Sequence, residues 1–138
     1  MPSRLNPYIN FKDNTRQAME FYKTVFGGTL TISTFKEGGM SQGPADENLI
    51  MHSMLEAPNG MTLMASDTPP GWEFKPGTNL SISLSGDEDS LLRGYWQKLS
   101  SKGNVTMPLE TAPWGDTFGM CTDQFGIQWL VNIAGKQA

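Results

Sequence analysis

His52 is the only histidine of the chain and the first candidate for acid–base chemistry. It lies in the segment IMHSM, in a predicted strand whose alternation places it on the same face as Ile50 and Met54. Glu56 follows four residues later and could act with it as an acid or base. A lone histidine without a positioned carboxylate is also typical of a hydrogen-bonded residue on a sheet face, and we favour that interpretation.

The other reactive side chains form no recognised catalytic pattern. Glu56 and Asp67 lie near strand ends, where solvated carboxylates are common, although either could serve as an acid or base if buried. Cys121 is predicted to be a buried structural thiol, because no basic residue lies near it in the sequence. Asp123 is expected to shape the turn before Gly126. No order of serine, histidine and aspartate typical of a catalytic triad is present.

The composition argues against two classes of partner. Lys and Arg number 10 against 14 Asp and Glu, and the basic residues form no stripe, so nucleic acid is not expected to bind. No apolar run is long enough to span a bilayer, and the segment MPSRLNPYIN lacks the apolar region of a signal peptide. A single cysteine excludes an internal disulfide. We therefore predict a cytoplasmic protein with no membrane partner.

The apolar spacing predicts the same order of elements twice, which indicates an internal repeat. Strands are predicted over residues 4–11, 29–36, 48–57 and 61–66 in the first half, and over 78–85, 104–111, 116–122 and 127–133 in the second. One helix follows the first strand of each half. Its predicted ends are Asp13 or Asn14 and Gly27–Gly28 in the first half, and Ser85 or Asp87 and Gly103 in the second. We predict module one over 1–67, a connector over 68–77 and module two over 78–138.

Alternation along the strands also predicts two different faces for each sheet. One face must cover the helix and should be apolar. Its predicted members are Ile9, Phe11, Met61, Leu63, Ala65, Leu80, Ile82, Leu84, Ile127, Trp129, Val131 and Ile133. The opposite face is predicted to hold Asn6, Tyr8, Asn10, Thr62, Met64, Ser66, Asn79, Ser81, Ser83, Gln128, Leu130 and Asn132. None of the latter is charged, which is typical of a concave ligand cleft; the alternative is a half-solvated sheet face without a ligand.

A set of nine residues is the predicted ligand-binding site. They are Asn6, Tyr8, His52, Met64, Asn79, Ser81, Trp114, Gln128 and Leu130. Trp114 is included because loop aromatics often contact a ligand or a partner subunit, and Trp72 and Phe74 in the connector are of the same kind. Simple anchoring of the loops is the alternative for these aromatics.

Two motifs carry a family resemblance: FYKTVFGG at the end of the first helix and WGDTFGMCTDQFGIQWLVN near the end of the chain. With Leu5–Phe11 and Ile50–Ser66, they resemble the vicinal oxygen chelate (glyoxalase/bleomycin resistance/dioxygenase) superfamily, and its PhnB-like (3-demethylubiquinone methyltransferase-like) branch most. The resemblance covers nearly the whole chain. It implies a glyoxalase-like α+β fold, in which two βαβββ modules form a curved mixed sheet cup, usually within a homodimer.

The resemblance also implies where a metal would be held. The superfamily's enzymes bind a divalent ion through four side chains on the first and last strands of the modules. Strand parity places these positions at Asn6, Met64, Asn79 and Leu130. Leu130 has no donor atom, and the thioether of Met64 suits copper(I) better than a hard divalent ion. We therefore predict no metal and no other cofactor; no glycine-rich loop for an adenosyl cofactor supports a methyltransferase either.

Two functions follow from these expectations. The first is a metal-free protein, in homodimers, that binds a modest and partly apolar small molecule. The alternative is a glyoxalase- or dioxygenase-type enzyme with an atypical metal site, or with metal-free acid–base chemistry by His52 and Glu56. A fold can host either function, so the sequence identifies neither the ligand nor a reaction.

Overall fold

The chain folds as two successive βαβββ units, and the computed structural model describes residues 3–135. The boundary between the units lies between Pro76 and Gly77. Each unit contains one four-stranded mixed sheet and one α-helix. The predicted α+β fold of two βαβββ modules is therefore confirmed.

The strands have the same order in both sheets. The first unit consists of β1 (Tyr8–Phe11), α1 (Thr15–Phe26), β2 (Thr29–Thr34), β3 (Ile50–Glu56), a short 3-10 turn (Pro58–Gly60) and β4 (Thr62–Asp67). The second consists of β5 (Ile82–Gly86), α2 (Asp89–Ser100), β6 (Asn104–Thr111), β7 (Thr117–Thr122) and β8 (Gln128–Ile133). The sheet orders are β1-β4-β3-β2 and β5-β8-β7-β6, with the first strand of each unit parallel to the last. All other strand pairs are antiparallel.

Helix α1 forms where helical spacing predicts it. Its residues Ala18, Tyr22 and Val25 are buried against the sheet. The predicted glycine stop is confirmed, because Gly27 has a φ of 75° and its N–H donates to the Lys23 carbonyl. This end of the helix fixes where β2 begins.

The start of α1 is held by a carboxylate from the far end of the unit. Asn14 precedes the helix as predicted, but its side chain makes no capping hydrogen bond. Instead, Oδ1 of Asp67 accepts the N–H of Thr15 at 3.0 Å, and Oδ2 accepts the N–H of Ile50 at 2.8 Å. Asp67 is 4% exposed. The expectation of a solvated strand-end acid is therefore wrong for Asp67, whose role is structural.

Helix α2 begins later than its predicted caps imply. The N–H of Leu92 donates to the carbonyl of Glu88, which starts the first turn after Asp87. Ser85 is part of β5, which extends to Gly86. Neither predicted cap is the residue that precedes the helix, because pairing with β8 keeps the chain extended for longer than local propensity indicates.

Both first strands are shorter than predicted, because β1 begins at Tyr8 and β5 at Ile82. Ile82 pairs with Trp129, which is only the second residue of β8. The residues before Ile82 therefore have almost no part of β8 beside them with which to pair. Leu80 is consequently 83% exposed, and its predicted place against the helix is wrong. The other residues predicted to face a helix are buried or half-buried.

The core of each unit lies between its sheet and its helix. In the first unit, Phe11, Leu55 and Leu63 are buried with the apolar face of α1. In the second, Trp129 and Val131 are buried with the apolar face of α2. We call the side of each sheet opposite to its helix the open face. Among the described residues, neither helix is long and apolar enough to cross a membrane.

Candidate functional site

The open face of the first sheet carries an uncharged row of side chains. Met64 in β4 lies between Tyr8 in β1 and Met54 in β3, and Met54 lies opposite Thr31 in β2. Tyr8 is 46% exposed, and both methionines are half-buried. We call these four residues the first row. It offers an aromatic ring, two thioethers and one hydroxyl that a bound molecule can reach.

His52 lies on the same open face and contacts the first row. Its ring stacks on that of Tyr8, with centroids 6.1 Å apart and planes inclined by 28°. Among residues 3–135, the imidazole makes no side-chain hydrogen bond that competes for its nitrogens. The interpretation favoured from the sequence is a hydrogen-bonded histidine on a sheet face. His52 does lie on a sheet face, but no described side chain or backbone group forms a hydrogen bond with its ring.

Ile50 does not share that face, contrary to the alternation of the sequence. Thr34 lies opposite Ile50 and Ser33 lies opposite His52, so the pairing with β2 skips Met51. An extra residue of this kind reverses which side the following residues face. Ile50 is consequently 1% exposed on the helix side, whereas His52 stays half-buried on the open face.

Glu56 is too far from His52 for the two to exchange a proton directly. Both lie on the open side of β3, with Met54 between them. Four residues of strand separate their Cα atoms by about 13 Å. Glu56 is exposed at the end of the sheet. Glu56 therefore cannot act as the partner of His52 in metal-free acid–base chemistry.

Uncharged polar groups border the first row. Oγ of Ser66 lies 3.3 Å from Oδ1 of Asn10, joining the open sides of β4 and β1. Asn6 is half-buried just before β1. The neighbouring carbonyl of Pro7 accepts the N–H of Met64 at 3.1 Å. Hydrogen-bonding groups are thus available beside the thioethers, without any charge.

The open face of the second sheet has an equivalent second row. Leu130 in β8 lies between Ser83 in β5 and Met120 in β7, and Met120 lies opposite Met107 in β6. Leu130 and Met120 are half-buried, whereas Ser83 and Met107 are exposed. This row also lacks charge, but its edge strand contributes Glu110 opposite Phe118.

Asp116 lies just before β7, beside the end of β8, and is tied to the backbone. It accepts hydrogen bonds from the N–H of Gly135 at 2.8 Å and from the Asn132 amide at 3.2 Å. These bonds, that of Gly135 first, hold the pKa of Asp116 below its ordinary value. The carboxylate stabilises the end of β8 and is not a candidate base. Asn132 lies opposite both Ser85 and Phe118 on the open face.

The structure brings some predicted ligand-site residues onto the open faces and leaves others outside the sheets. Tyr8, His52 and Met64 share the first open face, and Gln128 and Leu130 share the second. Asn79 and Ser81 are exposed before β5, and Trp114 is 69% exposed in the β6–β7 loop. The predicted set omits Met54 and Met120, because the face argument covered the first and last strands and only His52 was added from β3. Alternation along β3 and β7 is the signal that could have found them.

The comparisons with known proteins decide the family. The family described as the Glyoxalase/Bleomycin resistance protein/Dioxygenase superfamily matches residues 4–131. The chain belongs to this superfamily.

A crystal structure of protein PA1353 from Pseudomonas aeruginosa is similar, with a TM-score of 0.84, 36% identity and coverage of 98% of this chain and 100% of that one. The PhnB protein from Bacillus cereus has a TM-score of 0.76 at 24% identity and covers 96% and 100%. Protein YjdN of Escherichia coli K12 is 24% identical over 96% of this chain and 97% of its own length.

The residues at the superfamily's metal positions do not fit a hard divalent ion. Strand register places Tyr8 beside Met64 and Ser83 beside Leu130, so Asn6 and Asn79 are displaced from those strand pairs. Leu130 offers no donor, and a thioether is a poor ligand for magnesium or manganese. Within the described part of the chain, no group of three or more His, Cys, Asp or Glu side chains is arranged to hold a metal ion.

Cys121 is buried in the core of the second unit, as predicted, and should be unreactive. Burial, with a smaller contribution from Asp123, raises the pKa of its thiol to about 11. At pH 8 only roughly one molecule in a thousand would carry the reactive thiolate. We expect a chromogenic disulfide reagent to label the thiol only after unfolding in denaturant. Stoichiometric labelling of the folded protein within minutes would contradict this prediction.

Proposed function

We propose that this protein binds a small, largely uncharged organic molecule on the open faces of its sheets, without the divalent metal of the superfamily's enzymes. The observation that supports this proposal most directly is the composition of the two rows. Each combines half-buried apolar side chains with small hydroxyls and contains no charged group. A homodimer and a cytoplasmic location belong to the same proposal.

A sheet face that meets only water would be expected to carry charged side chains. On the open faces, the charges are at the margins, at Glu56 and Glu110. The central positions instead offer Tyr8, paired thioethers and leucine, which bind apolar parts of a ligand. His52 and the Asn10–Ser66 pair can orient it through hydrogen bonds. A ligand with one ring or aliphatic body and few polar groups fits this composition.

The first test is native mass spectrometry of the purified protein, which reports a co-purified molecule and the mass of the oligomer together. The second is a library of neutral fragments, measured by the shifts of methionine methyl NMR signals. We expect fragments to shift the signals of Met54 and Met64, because both side chains are half-buried on the first open face.

A charge in the first row should abolish this binding. Met64→Lys places an ammonium in the middle of the row, and we expect it to weaken fragment binding by about tenfold or more, because the ligand would have to desolvate the charge. Gln17→Lys is the matched control, since Gln17 is exposed on α1 and the charge changes equally. Undiminished binding by folded Met64→Lys, or equal losses in both variants, would contradict the proposed site.

A further inference from the structure

The first open face gathers two thioethers and one imidazole, a donor set softer than the carboxylates and carbonyls that suit magnesium, calcium and manganese. His52 and Met54 are two residues apart on β3 and point to the same side, and Met64 lies directly opposite Met54 on β4. Cross-strand pairs have Cβ atoms about 5 Å apart, and alternate residues on one strand are about 7 Å apart. Side chains as long as methionine and histidine can therefore converge on one point above β3 and β4.

The imidazole of His52 is oriented and free to bind. Tyr8 stacks against it at 6.1 Å, which restricts the tilt of the ring. None of the residues in the described range forms a side-chain hydrogen bond with the imidazole, so neither nitrogen is committed to the protein. Met54 and Met64 are half-buried, so their sulfur atoms are shielded from bulk water without being sealed in the core.

We propose that His52, Met54 and Met64 form a binding site for a soft monovalent d¹⁰ cation, copper(I), for which silver(I) is a probe. Thioethers select copper(I) over magnesium, calcium and manganese, and a neutral imidazole is a suitable third ligand. None of the three side chains is a carboxylate, the ligand type that suits magnesium, calcium and manganese. This site shares only Met64 with the four positions assigned to the superfamily's divalent centre and differs from that centre in chemistry, and it goes beyond the proposed binding of an organic molecule.

The second unit provides an internal control for this site. Met120 occupies the place of Met54, but Leu130 stands where the first unit has Met64. Phe118, two residues before Met120, takes the place of His52. The second open face thus has the same strand pairing without counterparts of Met64 and His52. Its other thioether, Met107, lies on the edge strand β6, and this unit contains no histidine. The second sheet accommodates leucine at the equivalent position, which favours a folded Met64→Leu variant.

The test is a titration of the intact protein with silver(I), followed through the methyl signals of its 9 methionines. We expect the signals of Met54 and Met64 to shift together and saturate at one equivalent, whereas those of Met107 and Met120 stay in place. Copper(I) affinity is then measured without oxygen, by competition with bicinchoninate. Met64→Leu should weaken it by about tenfold or more, because even indirect partners of a metal ligand change affinity by 10- to 100-fold.

Two control variants make the outcome decisive. Met120→Leu should leave the affinity within about twofold, since it removes a thioether of equal length from the other unit. Cys121→Ala should also leave it unchanged, which excludes the one thiol as the ligand. Retained affinity in folded Met64→Leu, a loss in Cys121→Ala, or equal shifts of all methionine signals would overturn the proposal. None of these results bears on fragment binding, which is measured without metal.

Discussion

Replacing Asp67 with alanine is expected to lower the free energy of unfolding by about 3 to 4 kcal/mol. Its carboxylate is 4% exposed and accepts the N–H groups of Thr15 and Ile50. Alanine would leave both donors in a buried place without an acceptor. It would also remove the anion that stabilises the N-terminus of α1, where the side chain of Asn14 provides no cap. The measurement is urea denaturation followed by circular dichroism.

Glu20→Ala is the matched control for Asp67→Ala. Glu20 is exposed on α1 and forms no hydrogen bond to a described residue, so its removal should change the free energy of unfolding by less than about 0.5 kcal/mol. Asp67→Asn should fall between the two, because the amide retains one acceptor oxygen. If Asp67→Ala were as stable as Glu20→Ala, the carboxylate would not hold the helix and β3 together.

Local spacing was sufficient to predict the elements because each element is specified by its own residues. Strand β6 spans Asn104–Thr111, the same range that was predicted for it. Helix α1 ends at Phe26, immediately before the predicted glycines. Buried residues also recur as expected in β7 and β8, where Thr117–Thr122 and Gln128–Ile133 alternate between buried and half-buried positions. Such periodicity depends on neighbours within a few residues, and the sequence displays it directly.

Register and long-range contacts could not be predicted in the same way. Aligning the first strands by sequence equates Tyr8 with Ser81, yet the structure pairs Tyr8 with Met64 and Ser83 with Leu130. The true equivalent of Tyr8 is therefore Ser83, two residues further along. Alternation has a period of two, so a shift of two residues leaves the pattern of faces unchanged and is invisible to it.

Errors in register change the predicted site residues more than they change the predicted fold. Tyr8, two residues after Asn6, lies beside Met64, and Ser83, four residues after Asn79, lies beside Leu130. Both shifts are even, so they preserve the open faces but separate Asn6 and Asn79 from Met64 and Leu130. The unpaired residue Met51 does change the faces, because it places Ile50 and His52 on opposite sides of the sheet. His52 itself was correctly placed because it lies beyond the irregularity, on the regular part of β3. Alternation thus predicts the face of a residue best near the middle of a strand.

Alanine at Gly28 or Gly103 is expected to destabilise the protein strongly, and more strongly at Gly28. Each glycine precedes the second strand of its unit. A Cβ at Gly28 would overlap the Glu56 carbonyl and lie 2.8 Å from the Cα of Ala57, and one at Gly103 would overlap the Thr122 carbonyl. Backbone neighbours cannot move aside as a side chain can, so overpacking alone costs about 1 to 3 kcal/mol.

Gly28 has a further cost that Gly103 lacks, because its φ is 96°. A non-glycine residue held in such a region loses roughly another 1 to 3 kcal/mol, so Gly28→Ala should lower the free energy of unfolding by about 3 to 5 kcal/mol. Gly94→Ala is the matched control: Gly94 lies within α2, and an added methyl group there would meet no neighbouring atom within 4 Å. There alanine should stabilise the protein by about 0.5 to 1 kcal/mol. The measurement is the free energy of unfolding in urea. If all three substitutions changed it equally, the backbone contacts at Gly28 and Gly103 would not require glycine.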